Sequence, residues 1–379
     1  MDGPYILYST PTSYYGTKLK AYLCWKGIPF EERLTTAEVY RDVIMPRTGV
    51  WMIPTVITPE DEALQDTTAI WEALERRFPE PAVEPATPRQ RIAANLLELF
   101  ADEWLITVGI CYRWTVPENK AFIVREFGRQ MAPEGSEAEQ RRLGQEKVDF
   151  FGNWVNTLGI DQATRPALMT MYEGEFLPAL ERALAANPYL FGGRPSIADF
   201  ALMGPLGALL GRDPASRRRL REIAPTVERW VEAMREPQPA PGDFLAGDAV
   251  PVPLVQLLRL VFRDQLPELL DCMAALPAWV AAHPGEPLPK TIGWHRYRVG
   301  GAEAERAVHP YPQWMLQRVL EKYAALDGAG RRAVDALAAE AGGPPLSAIA
   351  VPQPLARIRH RLVPLDPAGR PLAEVPEPA

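Results

Sequence analysis

The first 80 residues alternate short apolar runs with amphipathic stretches and turn residues. The predicted elements, in chain order, are a strand at 4–9, a helix at 15–26, a strand at 30–34, a helical or irregular segment at 39–47, a hairpin over 54–58 and 62–64, and a helix at 67–78. Gly27 stands where a glycine in the left-handed conformation commonly ends a helix. This order predicts a small α/β domain over residues 1–80.

Helical spacing dominates the rest of the chain, interrupted by proline-rich stretches at 79–88 and 237–253 that are typical of linkers. The predicted helices are 89–112, 137–158, 165–186, 196–211, 225–235, 254–283, 310–326 and 329–341. They predict an all-helical domain over 88–236 and a mainly helical extension over 240–379. The extension ends in a proline-rich tail, and no regular structure is predicted for its last dozen residues.

The charge and the cysteine content argue against several kinds of partner and location. The net charge of −7 argues against general nucleic-acid binding, so the basic runs at 217–221 and 357–361 are interpreted as a solvated helix face and a charged tail. No apolar stretch is long enough to span a membrane. Three widely separated cysteines and no signal peptide favour a cytoplasmic location. The four histidines, all in the extension, lack metal-ligand spacing, so no metal site is predicted.

Four segments form an ordered set over the first 235 residues or so. They are Tyr8-Ser9-Thr10-Pro11-Thr12-Ser13 with the helix end Lys26-Gly27-Ile28-Pro29-Phe30, then Ile53-Pro54, then Gln65-Asp66-Thr67-Thr68-Ala69-Ile70, and finally Pro188-Tyr189-Leu190-Phe191-Gly192-Gly193-Arg194-Pro195-Ser196-Ile197-Ala198-Asp199-Phe200. In this order they resemble the glutathione S-transferase family. The resemblance implies a thioredoxin-like N-terminal domain, an all-α domain and a homodimer, and it does not cover residues 240–379.

The resemblance also implies a glutathione site at Ile53, Pro54, Asp66 and Thr67. A cis Ile53-Pro54 bond would offer the backbone of Ile53 to the extended tripeptide. Asp66 would pair with the γ-glutamyl ammonium group and Thr67 with its carboxylate, at a helix N-terminus that suits anions. A rigid turn and a helix cap explain the same residues without any ligand.

Family chemistry requires a hydroxyl or thiol beside the glutathione sulfur, where a hydroxyl donor stabilises the nucleophilic thiolate. No cysteine lies in the turn after the first strand, and Cys24 is interpreted as structural. Ser13 is therefore the first candidate and Tyr8 the second, followed by Ser9 and Tyr15. A turn or cap role explains Ser13 almost as well.

An aromatic stretch in the first helix of the all-α domain is the candidate electrophile pocket, with Trp104, Tyr112 and Trp114 as its walls, although such a stripe is more often core. Ser196 and Asp199 are expected to form a structural capping box. The resemblance implies an enzyme that activates glutathione, its cosubstrate, for attack on a small apolar electrophile. A glutathione-dependent isomerase or dehalogenase and a non-catalytic scaffold remain alternatives.

Overall fold

A computed structural model describes residues 3–375 of the chain. The N-terminal part contains β1 Tyr5–Ser9, α1 Tyr14–Lys26, β2 Phe30–Leu34, α2 Ala37–Val39, α3 Met45–Thr48, β3 Thr55–Ile57, β4 Ala63–Gln65 and α4 Thr67–Arg77. The sheet order is β2-β1-β3-β4, with β1 parallel to β2 and the other neighbours antiparallel. This is the predicted thioredoxin-like arrangement, and Gly27 ends α1 at a φ of 65° as expected.

Alternate residues of β1 point to opposite faces of the sheet and pack into two different hydrophobic clusters. Tyr5 and Leu7 belong to the main core, which also contains apolar residues of α1 and α4. Tyr8 points to the other face of the sheet and packs with Ile44 and Ile57. The two faces of β1 therefore serve different roles, and Tyr8 lies in the smaller cluster.

The second part is entirely helical, as predicted. Its helices are α5 Pro88–Glu103, α6 Leu105–Thr115, α7 Pro117–Met131, α8 Glu137–Gly152, α9 Trp154–Thr157, α10 Thr164–Met171, α11 Leu177–Ala186, α12 Ile197–Leu202, α13 Pro214–Ile223 and α14 Pro225–Ala233. Asp199 accepts hydrogen bonds from the backbone N–H and the hydroxyl of Ser196, both at 2.8 Å, so the capping box is confirmed.

Several predicted boundaries within this part are wrong. The predicted helix 89–112 is two helices that break at Trp104, and α7 was not predicted. Helix α13 was not among the predicted helices, but it contains the basic run at 217–221 that was interpreted as a helix face. Helices α7 and α8 cross closely at glycines, since a Cβ on Gly128 or Gly144 would stand 2.0 Å from a backbone oxygen of the other helix. These glycines weaken the helical pattern in the sequence, yet the packing depends on them.

The extension contains α15 Val252–Leu260, α16 Leu266–Ala282, β5 Trp294–Val299, β6 Ala302–Ala307, α17 Tyr311–Ala324, α18 Gly328–Glu340, β7 Leu355–Ile358 and β8 Arg361–Pro364. Four further segments, at Tyr40–Ile44, Tyr172–Phe176, Met203–Leu210 and Val261–Gln265, are π-helical, and Ala246–Asp248 and Leu346–Ala348 are 3₁₀ turns. The two hairpins, β5–β6 and β7–β8, were not predicted. The basic run at 357–361 forms the turn of β7–β8, so its interpretation as a charged tail is wrong. Residues 376–379, which belong to the predicted structureless end, lie outside the described residues.

The extension packs on the other two parts of the chain. Helices α17 and α18 lie against α5. Lys322 of α17 donates to Asn95 Oδ1 at 2.8 Å and pairs with Glu84, while Arg318 pairs with Glu72 of α4. Between residues 3 and 375, no helix has the length and apolar character needed to cross a bilayer.

Candidate functional site

The sheet brings three predicted site segments to one end. Tyr8 of β1 is opposite Thr55 of β3, and Thr55 is opposite Gln65 of β4. Because β3 runs antiparallel to both neighbours, the end of β1, the start of β3 and the end of β4 share one edge of the domain. The turn that contains Ser13, the Ile53-Pro54 bond and the N-terminus of α4 all adjoin this edge.

The Ile53-Pro54 segment directly precedes β3 at the sheet edge. The Ile53-Pro54 peptide bond is cis, and Ile53 is half-buried while Pro54 is buried. The strand register starts two residues later, at Thr55, so Ile53 lies outside the sheet ladder. Its backbone is therefore placed to pair with an extended ligand at the sheet edge.

Asp66 caps α4 in an unusual backbone conformation. Its φ of 80° and ψ of 128° are rarely adopted by a residue other than glycine, at a typical cost of about 1–3 kcal/mol. Its carboxylate accepts hydrogen bonds from the N–H groups of Thr68 at 3.0 Å and Ala69 at 3.3 Å. Thr67 is the first residue of α4, where backbone N–H groups lack intrahelical partners. Backbone strain of this kind is concentrated at binding sites.

Ser13 caps α1 and keeps its hydroxyl proton. Its side-chain oxygen accepts a hydrogen bond from Gly16 N at 3.1 Å, and the side chain is half-buried. This bond uses an oxygen lone pair, so the O–H can still donate to another group. Gly16 is required here because a Cβ at this position would come within 1.9 Å of Ser9 Oγ.

The other candidate hydroxyls are engaged elsewhere. The Tyr15 hydroxyl donates to the Asp102 carbonyl at 3.0 Å, and burial, followed by Glu103, raises the pKa of Tyr15 well above its usual value. Tyr8 is buried on the far face of the sheet, with its hydroxyl beside Arg33. Ser9 is buried, and its hydroxyl lies at the Thr10 carbonyl. Cys24 has a pKa raised to about 11 by burial, as expected for a thiol that is not activated.

A buried charge network lies between α1 and α5, directly behind α4. Lys18 donates to Glu98 at 2.7 Å and to Asp102 at 2.5 Å, and Glu98 also accepts from Thr68 and Trp71. Burial raises the pKa of Asp102 to about 7 against the opposing effect of Lys18. The network fixes the relative positions of the two domains next to the candidate site.

The extension reaches this site, which the sequence did not indicate. Arg357 of β7 donates a hydrogen bond to the side-chain oxygen of Gln65, and the Tyr311 hydroxyl at the start of α17 lies beside the Asp66 carboxylate. Burial, and then Arg357, lowers the pKa of His360 to about 4. Arg359 and His360 form the hairpin turn with φ values of 45° and 67°, which is unusual for residues other than glycine.

The three predicted pocket aromatics occupy different environments. Trp104 is fully buried, with its ring centroid 6.2 Å from that of Tyr297 in β5. Tyr112 is buried and donates to Glu173 at 2.6 Å. Trp114 is half-buried against Phe127 of α7. The structure thus places Trp104 and Tyr112 in the core, and leaves only Trp114 partly accessible.

Folding also assembles a cluster in the extension whose members are far apart in the sequence. Glu268 and Cys272 are one turn apart on α16, and His295 of β5 contacts both. Sequence spacing missed it because His295 reaches α16 only through the β5–β6 hairpin. The signal available was the Glu268–Cys272 spacing of four residues on a predicted helix.

Comparison with known proteins follows the same division of the chain. Residues 7–82 match the family model described as "Glutathione S-transferase, N-terminal domain", and residues 174–233 match "Glutathione S-transferase, C-terminal domain". No curated protein sequence matches the chain.

Solved structures that match part of this chain include a glutathione S-transferase from Rhodospirillum rubrum, with 15% identity, a TM-score of 0.40, and coverage of 66% of this chain and 97% of that one. A glutathione S-transferase from Methylobacterium radiotolerans, solved in complex with glutathione sulfonate, has 22% identity, a TM-score of 0.36, and coverage of 63% and 97%. A β-etherase from Sphingobium has 20% identity, a TM-score of 0.45, and coverage of 61% and 95%.

Proposed function

This chain belongs to the glutathione S-transferase family, and from that premise we propose that it binds glutathione at the sheet edge and activates its thiol for attack on a small apolar electrophile. Ile53 pairs with the tripeptide backbone in this proposal. Asp66 binds the γ-glutamyl ammonium group, and Thr67, at the N-terminus of α4, binds its carboxylate. Glutathione is a cosubstrate here and is consumed in the reaction.

One observation carries the proposal: the strand register aligns the ends of β1, β3 and β4, so the three segments that the ligand needs lie side by side. A tripeptide held at this edge has its γ-glutamyl end at α4 and its cysteine near the Ile53 backbone. The strained backbone of Asp66 supports a ligand role, since a helix cap alone does not require it.

Ser13 is the proposed thiolate stabiliser. Its oxygen accepts from Gly16 N, and its remaining proton is available to the glutathione sulfur. A hydrogen bond to the charged form lowers the pKa of a thiol and increases the thiolate fraction at neutral pH. Tyr15 already donates to a backbone carbonyl, so Ser13 is favoured over it.

The proposed electrophile is a small apolar molecule that enters beside the all-helical domain. Of the three aromatic candidates, Trp114 has an accessible part and is the one proposed to contact it. The same thiolate would serve an isomerase or a reductive dehalogenase. Product analysis separates these reactions. An isomerase returns glutathione unchanged, a reductive dehalogenase oxidises it to the disulfide, and a conjugating enzyme leaves it attached to the product.

The test is the ultraviolet absorbance of the thiolate in the protein–glutathione complex, followed against pH. A bound thiol with a pKa well below the ~8.5 of a free thiol is the expected result. Binding without any thiolate signal would contradict the activating role, and absence of binding would contradict the whole proposal.

A non-catalytic scaffold is the second candidate, and the extension favours it. Tyr311, His360 and Arg357 surround Asp66 and Gln65, so a ligand there must share the site with them. A scaffold would pass through a column of immobilised glutathione without being retained.

The homodimer also stays a prediction, and any dimer must leave α17 and α18 in place on α5.

A further inference from the structure

The Glu268–Cys272–His295 cluster lies in the extension, among residues that the proposed function does not use. Glu268 and Cys272 are buried, with exposed fractions of 5% and 1%, and the side chain of His295 is 12% exposed. Glu268 and Cys272 project from consecutive turns of α16, and His295 comes from the facing strand β5. Two separate elements therefore hold a carboxylate, a thiol and an imidazole at one buried point.

The distances between the three donor atoms match a metal site. Cys272 Sγ lies 3.2 Å from Glu268 Oε1 and 3.6 Å from His295 Nε2, and His295 Nε2 lies 3.6 Å from Glu268 Oε1. Tetrahedral zinc with ordinary bond lengths to sulfur, nitrogen and oxygen separates its ligand atoms by about 3.3–3.6 Å. Two of the three separations fall within this range and the Sγ–Oε1 separation is slightly shorter, so the three atoms form one face of a nearly tetrahedral site.

The surroundings leave polar atoms that a network of protein groups alone does not satisfy. His295 Nδ1 is buried and has no hydrogen-bond partner within residues 3–375, and the Asp271 carboxylate lies 4.0 Å away. A carboxylate on the far side of a ligating imidazole is the usual second partner at zinc sites. Arg306 Nε lies 3.2 Å from Glu268 Oε1, but this nitrogen forms no hydrogen bond of acceptable geometry within residues 3–375.

We propose that Glu268 Oε1, Cys272 Sγ and His295 Nε2 bind one Zn²⁺ ion, with a water molecule as the fourth ligand. Mixed sulfur, nitrogen and oxygen donors in tetrahedral geometry favour zinc over the harder cations. Binding breaks the Cys272 S–H bond and releases that proton to solvent, with no change in oxidation state. The ion attaches the β5–β6 hairpin to α16, and so joins two elements within the extension.

The charges agree with this assignment. Without metal, the Cys272 thiol donates a hydrogen bond to Glu268 Oε1 at 3.2 Å. A bound divalent ion supplies the opposing positive charge and converts the thiol to a thiolate. Thiolate and carboxylate together neutralise the ion, and Arg306 remains next to the site as a single extra positive charge.

The test uses the full-length protein, stripped of metal under reducing conditions and titrated with Co²⁺ alone. We expect saturation at one equivalent, with a thiolate-to-cobalt charge-transfer band and the intense visible bands of a tetrahedral ion. Cys272→Ser removes the charge-transfer band, and His295→Ala weakens Co²⁺ binding about tenfold or more. Cys24→Ser and His283→Ala are matched controls that leave the spectrum unchanged, since neither residue belongs to the cluster.

Absence of a charge-transfer band at saturating Co²⁺, or a band that persists in Cys272→Ser, overturns the proposal. So does a loss of affinity in His283→Ala equal to that in His295→Ala. If Cys272→Ser fails to fold, X-ray absorption of the zinc-loaded wild type decides the matter. One sulfur with nitrogen and oxygen neighbours supports the site, and a first shell without sulfur overturns it.

Discussion

Arg357 donates a hydrogen bond to the side-chain oxygen of Gln65 across 292 residues of sequence. Gln65 ends β4, and the next residue is Asp66, whose strained backbone begins α4. A residue of the extension therefore buttresses the segment proposed to bind the γ-glutamyl end of glutathione. The extension therefore contributes a residue next to the proposed glutathione site.

Replacing Arg357 tests whether this support matters for binding. Arg357→Ala removes the donor, and we expect the dissociation constant for glutathione to rise about fivefold, the equivalent of about 1 kcal/mol for one hydrogen bond. Isothermal titration calorimetry measures the change. Arg370→Ala, which removes an exposed pair with Asp366, is the control and should bind like wild type. Tighter binding in Arg357→Ala would indicate that the extension blocks the site.

Substitutions of Asp66 separate its capping role from its charge. Asp66→Asn keeps a capping side chain and a residue that tolerates positive φ, so the free energy of unfolding should change by less than about 0.5 kcal/mol. The charge is lost, and glutathione should bind at least about tenfold more weakly. Asp66→Ala should show the same loss of affinity plus a capping loss of about 0.5–2 kcal/mol. Wild-type affinity in Asp66→Asn would remove Asp66 from the site.

Ser13 is tested by two variants that both lack the hydroxyl. Ser13→Gly retains most of the N-cap preference, whereas Ser13→Ala loses about 0.5–2 kcal/mol of helix stability. Both should raise the pKa of bound glutathione toward that of the free thiol and lower turnover more than affinity. Thiolate absorbance and steady-state kinetics measure these effects. An unchanged thiol pKa in Ser13→Gly would transfer the role to another hydroxyl.

The buried Asp102 carboxyl predicts a pH dependence of stability. Its pKa is about 7 in the folded chain and near 4 when unfolded, so the folded state binds more protons between these values. The contribution of this group to the free energy of unfolding is therefore fully present below about pH 4. It decreases by up to about 1.4 kcal/mol per pH unit as the pH rises from 4 to 7, and is lost above 7. Asp102→Asn should flatten that decline in denaturant titrations across the range. Parallel curves for wild type and variant would contradict the shifted pKa. Asp149→Asn, at an exposed position on α8, is the control.

Local signals explain why the sheet edge was predictable. Proline after Ile53, a helix-stopping Gly27 and a capping residue before α4 are all determined within a few residues of sequence. Each lies where its local chemistry predicts, so the ordered set defined the N-terminal domain. The capping box at Ser196 was predictable for the same reason.

The parts that were missed depend on distant contacts. Gly300-Gly301 joins β5 to β6 and is a recognisable hairpin signal. The strands that flank it are short and rich in charged residues, and the only apolar residue type in β6 is alanine, which does not favour strands. Arg359-His360 turns the second hairpin with residue types that do not favour positive φ, so no local signal marks it. The break at Trp104 likewise depends on packing against β5.

The 292 residues of sequence between Gln65 and Arg357 have a consequence for how the protein is made. A ribosome adding about 5–20 residues per second needs roughly 15–60 s to pass from Gln65 to Arg357. The thioredoxin-like part therefore emerges and can fold while the face of α5 that α17 will cover is still bare. A nascent chain is consequently exposed to chaperones and proteases during this interval, and a truncated message yields a protein that has the four-stranded sheet but lacks the residue that contacts Gln65.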